Sequence, residues 1–327
     1  MITIAIVLGG LLLVTLGVEL WLRRAYGLGQ PPLYMADARM GYRLAPNQSL
    51  RRFGQRIEIN QYSMRSGVIH PARSQTCLRI LLLGDSVANG GWWTDQPQIL
   101  SQQLEDALQA APPEPFQQVQ VLNASANSWG PRNQLGYVVR FGLFEAQLVV
   151  VLMNTDDLFA IAPTSLPVGR DRAYPRRRPL ALWELVSRLL PLRPLPAYEA
   201  LLAAPGDRLG GNLEALRQLH HQVQDRGSQL LVAMTPLKRE IVSQPRDYEI
   251  KARHRLSTFL SALGVPYLDL LPPLARYPQP SLLYRDHIHP SPEGYRLISQ
   301  ILQGQILKQL TSPPLPLSPT DLQDPWL

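Results

Sequence analysis

The sequence predicts an α/β domain built on a parallel sheet with helices on both faces, behind an N-terminal transmembrane helix and an extended arm. Three observations predict it. From about residue 76, short apolar runs alternate with stretches of helical periodicity, the pattern of repeated β-α-β units. The first run, LRILLL at Leu78 to Leu83, is broken only by Arg79, as expected of a strand buried on both faces. Residues 2–22 read ITIAIVLGGLLLVTLGVELWL with Glu19 the sole charge, about the 20 residues needed to cross a bilayer.

Trp21, Arg23 and Arg24 at the end of that run suit a membrane interface. A cleaved signal peptide wants basic residues before its apolar run and a small-x-small site after it. Here Met1 leads directly into Ile2, and WLRRAYG is a poor cleavage site. An uncleaved anchor over residues 1–24 is therefore expected. The positive-inside rule places the main domain in the cytoplasm, but one arginine pair leaves the side of the membrane open. Residues 25–75 read as an extended arm, because QPPLY and LAPNQ break helices. Within it, SLRRF and RIEIN around Gly54 predict one small β-hairpin.

The main domain is expected over residues 76–310. Pro97 to Ala111 carries Ile99, Leu100, Leu104 and Leu108 at helical spacing. Gln118 to Leu122 is the second strand, Asn133 to Phe144 a helix, and Gln147 to Met153 (QLVVVLM) the third strand. Residues 160–206 then break the alternation with a Pro- and Arg-rich insertion that has room for one short amphipathic helix at Ala181 to Leu190. Such an insertion is either a lid or binding loop, or surface padding. Gly210 to Arg226 is a helix capped by Gly227. Gln229 to Met234, Tyr248 to Leu263 and Val265 to Leu268 follow as strand, helix and short strand. Glu293 to Leu310 closes the domain, with Ser291 as its cap and Pro292 at its first position. The tail over residues 311–327, with PPLPLSP, reads as extended or disordered.

Composition narrows the function. With 45% hydrophobic and 17% charged residues the chain is not disordered. One cysteine, Cys77, excludes an intrachain disulfide and a cysteine-rich metal site. The net charge of +7 fits a basic surface or anionic lipid head groups. No recognition helix, zinc finger or ribonucleoprotein motif points to nucleic acid.

In an open α/β sheet, ligands bind beyond the carboxyl ends of the strands. Gly84-Asp85-Ser86 stands at such an end, directly behind the first buried strand. The triplet arises by chance in roughly one chain in ten of this length, so its position carries the weight, not its letters. A serine hydroxyl needs a base within hydrogen-bond reach and a group that orients the base. RDHIHPSPEGY, residues 285–295, offers both. Asp286 and His289 are three apart, which lets the carboxylate turn back onto Nδ1 and leaves Nε2 free for a serine. Asp286, His287 and His289 could instead read as metal ligands, but no further ligand cluster accompanies them. Oxyanion donors belong on the loops after the second and third strands, NASANSWGPRNQ and MNTDDL. Trp92 and Trp93, just past the serine, are expected in the core, with a pocket wall as the alternative.

Loops in this order, Gly-Asp-Ser first and Asp-x-x-His last, resemble the SGNH/GDSL hydrolase family over roughly residues 76–310. The anchor and arm make the chain similar to membrane-anchored bacterial members, some of which move or remove acyl groups on envelope polysaccharides. The resemblance implies a flavodoxin-like three-layer α/β/α sandwich. It implies Ser86 as nucleophile, His289 as base and Asp286 as the acid that orients it. Two middle blocks depart from the family pattern. Asn123-Ala124-Ser125-Ala126-Asn127-Ser128 has Ser128 where the family has a glycine that donates its backbone N–H. Asn154-Thr155-Asp156-Asp157 has Asp156 where a side-chain amide is expected. Either Asp156 is protonated in a dry pocket, or Asn154 supplies the amide, or the oxyanion hole has only the N–H groups of Ser86 and Ser128. Losing one donor typically costs about 100- to 1000-fold in rate.

The function so implied is a serine ester hydrolase that needs no cofactor or metal. Its substrate is an acyl-ester small molecule or an acylated glycan. Two alternatives stand beside it: an O-acyltransferase acting on an envelope glycan, and a non-catalytic binding protein that kept the fold.

Overall fold

The structure is a computed structural model that describes residues 1–170, 173–191 and 194–311. The tail expected from residue 311 lies outside them, Thr311 apart. Helix α1 (Ile2–Tyr26) ends at Gly27, which takes a left-handed φ of 65° and donates its N–H to the Arg23 carbonyl, while the Leu28 N–H reaches the Leu22 carbonyl.

The arm forms two hairpins where the sequence reading expects one. Strands β1 (Tyr34–Asp37) and β2 (Gly41–Leu44) pair first, then β3 (Gln48–Arg52) and β4 (Gln55–Ile59). The first hairpin lacks alternation because β2 is buried along its whole length. Its turn is made by Asp37, whose Oδ1 accepts the N–H groups of Arg39 and Met40. Nor is the arm a loose extension. Tyr34, Met40, Tyr42, Leu44, Ile57 and Ile59 are buried in the largest apolar cluster of the molecule.

The main sheet has five parallel strands: β5 (Cys77–Gly84), β6 (Gln118–Ser125), β7 (Leu148–Asn154), β8 (Gln229–Thr235) and β9 (Tyr267–Asp269). Their order is β6-β5-β7-β8-β9, the flavodoxin-like arrangement with the switch point beside the first strand. Successive side chains leave opposite faces. Leu81, Leu83, Val149, Val151 and Val232 therefore join the arm in one cluster. Ile80, Leu82, Val150, Leu152 and Leu231 build the other. In chain order the helices are α2 (Ser86–Asn89), α3 (Leu100–Gln109), α4 (Pro131–Phe141), α5 (Ala181–Leu189) and α6 (Pro196–Ala203). They continue with α7 (Arg208–Gln224), α8 (Lys238–Val242), α9 (Asp247–Ala262), α10 (Leu271–Ala275) and α11 (Pro292–Thr311). Residues of α4, α7 and α9 cover the first face, and residues of α3 and α11 the second.

Register decides where the loops meet. Gly84 pairs with Ser125 on one side and Leu152 on the other. The carboxyl ends of β5, β6 and β7 are therefore level, and the loops that follow them emerge side by side.

Candidate active site

Gly84 ends β5 because nothing larger fits. A Cβ there would lie 2.5 Å from the Ala88 Cβ and 2.9 Å from the Leu152 carbonyl oxygen. Asp85 then caps α2, its Oδ1 accepting the Val87 N–H at 2.8 Å, which places Ser86 in the first position of that short helix. The chain leaves through Gly90 at φ 76°. Ser86 is 8% exposed, so its hydroxyl lies in a wall and not on a convex surface.

His289 reaches Ser86 from a loop 203 residues further on. That loop is shaped by Asp286, whose Oδ1 accepts the N–H groups of Ile288 at 3.0 Å and His289 at 2.8 Å. The same carboxylate lies 2.8 Å and 3.0 Å from His289 Nδ1 through Oδ2 and Oδ1. Partial burial pushes the Asp286 carboxyl up. The two backbone donors and the imidazole outweigh that, and its pKa falls below the usual carboxylate value. With Nδ1 protonated toward this carboxylate, Nε2 is left to accept from the Ser86 hydroxyl, 2.9 Å away. Trp93 packs edge-on against the imidazole with centroids 4.6 Å apart, and the Arg285 guanidinium covers Trp93 at 4.8 Å.

The second loop brings Ser128 beside Ser86. Ser128 adopts φ 61°, the left-handed conformation that glycine takes without penalty. Among the described residues no backbone acceptor takes its N–H. The arm holds this loop in place. The Tyr42 hydroxyl donates to the Asn127 carbonyl, and the Trp129 indole N–H donates to the Tyr42 carbonyl at 2.9 Å.

The third loop differs from both side-chain expectations. Asn154 Oδ1 accepts the N–H groups of Asp156 at 2.8 Å and Asp157 at 3.3 Å, and its Nδ2 donates to Asp85 Oδ2 at 2.8 Å. That amide holds the Ser86 loop through Asp85 and is not an unengaged donor. Asp156 is exposed at the cavity edge and not enclosed in a dry pocket. Partial desolvation still raises its carboxyl, opposed by the nearby His287. The buried carboxylate is its neighbour Asp157, which accepts the Asn154 N–H at 2.9 Å. Burial, and next the charge of Asp85, push Asp157 well above the usual range, and burial raises Asp85 as well.

Ser86, Ser128, Asn154, Asp156 and His289 all line one cavity of about 360 Å³. Among the described residues no three His, Cys, Asp or Glu side chains group to hold a metal ion.

The model of the GDSL-like lipase/acylhydrolase family matches residues 82–297. The chain belongs to that family. No curated protein matches it in sequence. Solved structures similar to it include a lipase/acylhydrolase from Enterococcus faecalis, at 17% identity over 71% of this chain and 96% of that one, TM-score 0.44. A catalytic mutant of an acetylxylan esterase from Geobacillus stearothermophilus matches at 14% identity over 70% and 94%, TM-score 0.46. A GDSL-like lipase from Bacteroides thetaiotaomicron matches at 11% identity over 71% and 88%, TM-score 0.41.

Two features of this GDSL-like chain escape the sequence reading. The first is Arg65, in the arm and outside the matched span. It is buried, and its guanidinium donates to the carbonyls of Asn89 at 2.7 Å, Thr94 at 2.6 Å and Gly91. Burial lowers its pKa to about 10, so it remains charged at neutral pH. It thereby clamps the loop that leaves Ser86, and nothing local in SMRSG marks it for this role. The second is a larger cavity of about 1060 Å³ that also opens at Ser86, Ser128 and His289. Its wall includes Leu166, Tyr174, Trp183 and Leu190 of the insertion, which is therefore a cavity wall and not padding. Trp92 and Trp93, both half-buried, line it too, as the pocket-wall alternative has it, and Trp92 also packs against the first apolar cluster.

Proposed function

We propose that this GDSL-family hydrolase is a serine esterase that works through an acyl-Ser86 intermediate. The observation that carries the reading is the continuous run from Asp286 through His289 to Ser86 Oγ, with 2.8 Å and 2.9 Å between its polar atoms. Ser86 Oγ attacks the acyl carbonyl while His289 Nε2 takes its proton, and Asp286 holds the imidazolium. The oxyanion meets the N–H groups of Ser128 and Ser86. Collapse breaks the acyl C–O bond, and His289 returns the proton to the departing alcohol. Water, deprotonated by His289, then releases the acid. With Asn154 committed to Asp85, the oxyanion has two backbone donors. A rate about 100- to 1000-fold below that of a three-donor site is expected.

The test is intact mass of the full chain in detergent after treatment with a fluorophosphonate. One adduct on the wild type and none on Ser86→Ala is expected. A folded wild type that takes no adduct refutes the esterase and leaves a non-catalytic binding protein.

A second reading, O-acyl transfer to an envelope glycan, is favoured by the insertion wall, which places Arg170 and Arg178 beside the cavity at Ser86. Adding a glycan acceptor separates the two readings, since a transferase gives acylated glycan in place of free acid.

Helix α1 is long and apolar enough to cross a membrane, and we infer that it stays on the chain as an anchor. Its last turns are part of the domain. Glu19 and Leu22 are buried, and Glu19 accepts the N–H groups of Ala181 and Leu182 at the start of α5. Cleavage after an apolar signal would remove that cap.

A further inference from the structure

Helix α5 has three faces, and two have partners. One carries Glu184, whose carboxylate is buried against Arg52 and Arg188 and accepts the Gly29 N–H at 2.7 Å. The second, with Trp183, Ser187 and Leu190 beyond the helix end, lines the larger cavity at Ser86. The third consists of Leu185, Val186 and Leu189, which span an arc of about 100° on a helix of 3.6 residues per turn. It faces outward, with Val186 45% and Leu189 80% exposed.

The position of this face is set by α1. Besides the Glu19 cap, Arg23 donates to the Pro179 carbonyl at 2.6 Å. Leu22, Leu28 and Ala181 form one buried cluster with Leu182 against it. Trp21, Tyr26 and Phe53 meet edge-on in series, centroids 5.1 Å and 6.2 Å apart, and the Arg188 guanidinium lies over Phe53 at 5.1 Å. Aromatic residues at the end of an apolar span mark the head-group depth, and here Trp21 and Tyr26 are linked to α5 through Phe53 and Arg188. At 1.5 Å per residue, α1 is about 38 Å long, against a hydrocarbon core of about 30 Å. Its last two turns, where α5 is attached, therefore belong to the interface. Arg24, Arg51, Arg176 and Arg177 are exposed near this junction, as anionic head groups would favour.

We infer that the third face of α5 is embedded in the head-group layer of the bilayer that α1 crosses, and that the Ser86 cavity takes its acyl ester from a membrane amphiphile. The inference rests on the reading of α1 as an anchor and of Ser86 as the nucleophile. An interfacial helix of this kind buries an apolar stripe at the boundary of head groups and acyl chains. Here the same helix supplies cavity wall through Trp183 and Ser187, in the cavity that opens at Ser86.

The test uses the full chain in phosphatidylcholine/phosphatidylglycerol vesicles. Cys77, the sole native thiol, is buried, so Leu189→Cys takes a fluorescent label selectively. Quenching by a head-group nitroxide lipid, with protection from aqueous iodide, is expected. Quenching by iodide alone overturns the inference, and protection from both quenchers replaces the bilayer with a protein partner or a second copy. In parallel, Val186→Asp with Leu189→Asp is expected to lower hydrolysis of a long-chain ester in vesicles about tenfold, while turnover of a short soluble ester stays at the wild-type level. Equal loss on both esters, or loss on neither, overturns the membrane route. No turnover of either ester by the wild type, with the label still quenched by lipid, removes the amphiphile substrate and the esterase together and keeps the interfacial helix.

Discussion

Gly84, Ser128 and Asp157 each occupy a position with a single dominant constraint. At Gly84 the constraint is space, since the Ala88 methyl and the Leu152 carbonyl already fill the site of a side chain. At Ser128 it is backbone conformation. A non-glycine residue at φ 61° pays about 1 kcal/mol or more for the left-handed region. Ser128→Gly keeps the N–H and relieves that strain, less the extra chain entropy glycine loses on folding. A gain of up to about 1 kcal/mol in urea unfolding, with fluorophosphonate labelling unchanged, is expected. At Asp157 the constraint is burial. Its carboxyl is raised in the folded protein, so the folded state binds its proton more tightly than the unfolded chain. Its contribution is fully present below the ordinary carboxylate value of 3.8 and is lost as pH rises toward the raised folded value. Asp157→Asn keeps an acceptor for the Asn154 N–H and removes this dependence. Relative to wild type, the variant therefore gains stability in urea as pH rises above about 4. A difference that stays constant with pH means that Asp157 remains ionised.

At the scale of elements, the arm and the insertion make the site more than a family core. The family match begins at residue 82, yet Arg65, Tyr42 and Trp129 hold the Ser86 and Ser128 loops through contacts between arm and domain. The insertion is tied to the arm by the buried pair of Arg52 and Glu184. Removing one member of a buried pair strands the other charge and costs about 3–5 kcal/mol. Glu184→Ala is accordingly expected to lower the urea midpoint sharply. Arg52→Leu combined with Glu184→Leu is expected to recover part of the loss, because the most deeply buried stranded charge is gone while Arg188 and the Gly29 N–H still lack their carboxylate. If the double variant is as unstable as the single one, the pair is not the main tie.

On the scale of the whole molecule, α1 is both the apolar span and the cap of α5. Two truncations separate these roles. Removing residues 1–17 takes away most of the apolar run and leaves Glu19 on Ala181 and Leu182. Removing residues 1–24 takes the cap and Leu22 as well. The longer truncation is expected to lose about 1 kcal/mol or more relative to the shorter one in urea unfolding, the usual size of a lost helix cap. Equal stability of the two would mean that α1 is only appended to the domain.

The sequence by itself determined the parallel α/β domain, the serine behind its first buried strand and the Asp286–His289 pair. Each of these rests on short-range physics. A continuous apolar run, a 3.6-residue period, a capping residue and a three-residue carboxylate turn act over a few neighbours and so can be read in a line of letters. Only the tertiary structure decided that Asn154 binds Asp85, that Trp92 and Trp93 line a cavity, that Arg65 clamps the Ser86 loop and that the arm holds two hairpins. These outcomes depend on partners brought together by the level carboxyl ends of β5, β6 and β7 and by the packing of the arm on the sheet. A side-chain amide, an indole or a guanidinium takes its role from whichever polar group or void the fold places against it, and that neighbour is commonly tens of residues away along the chain.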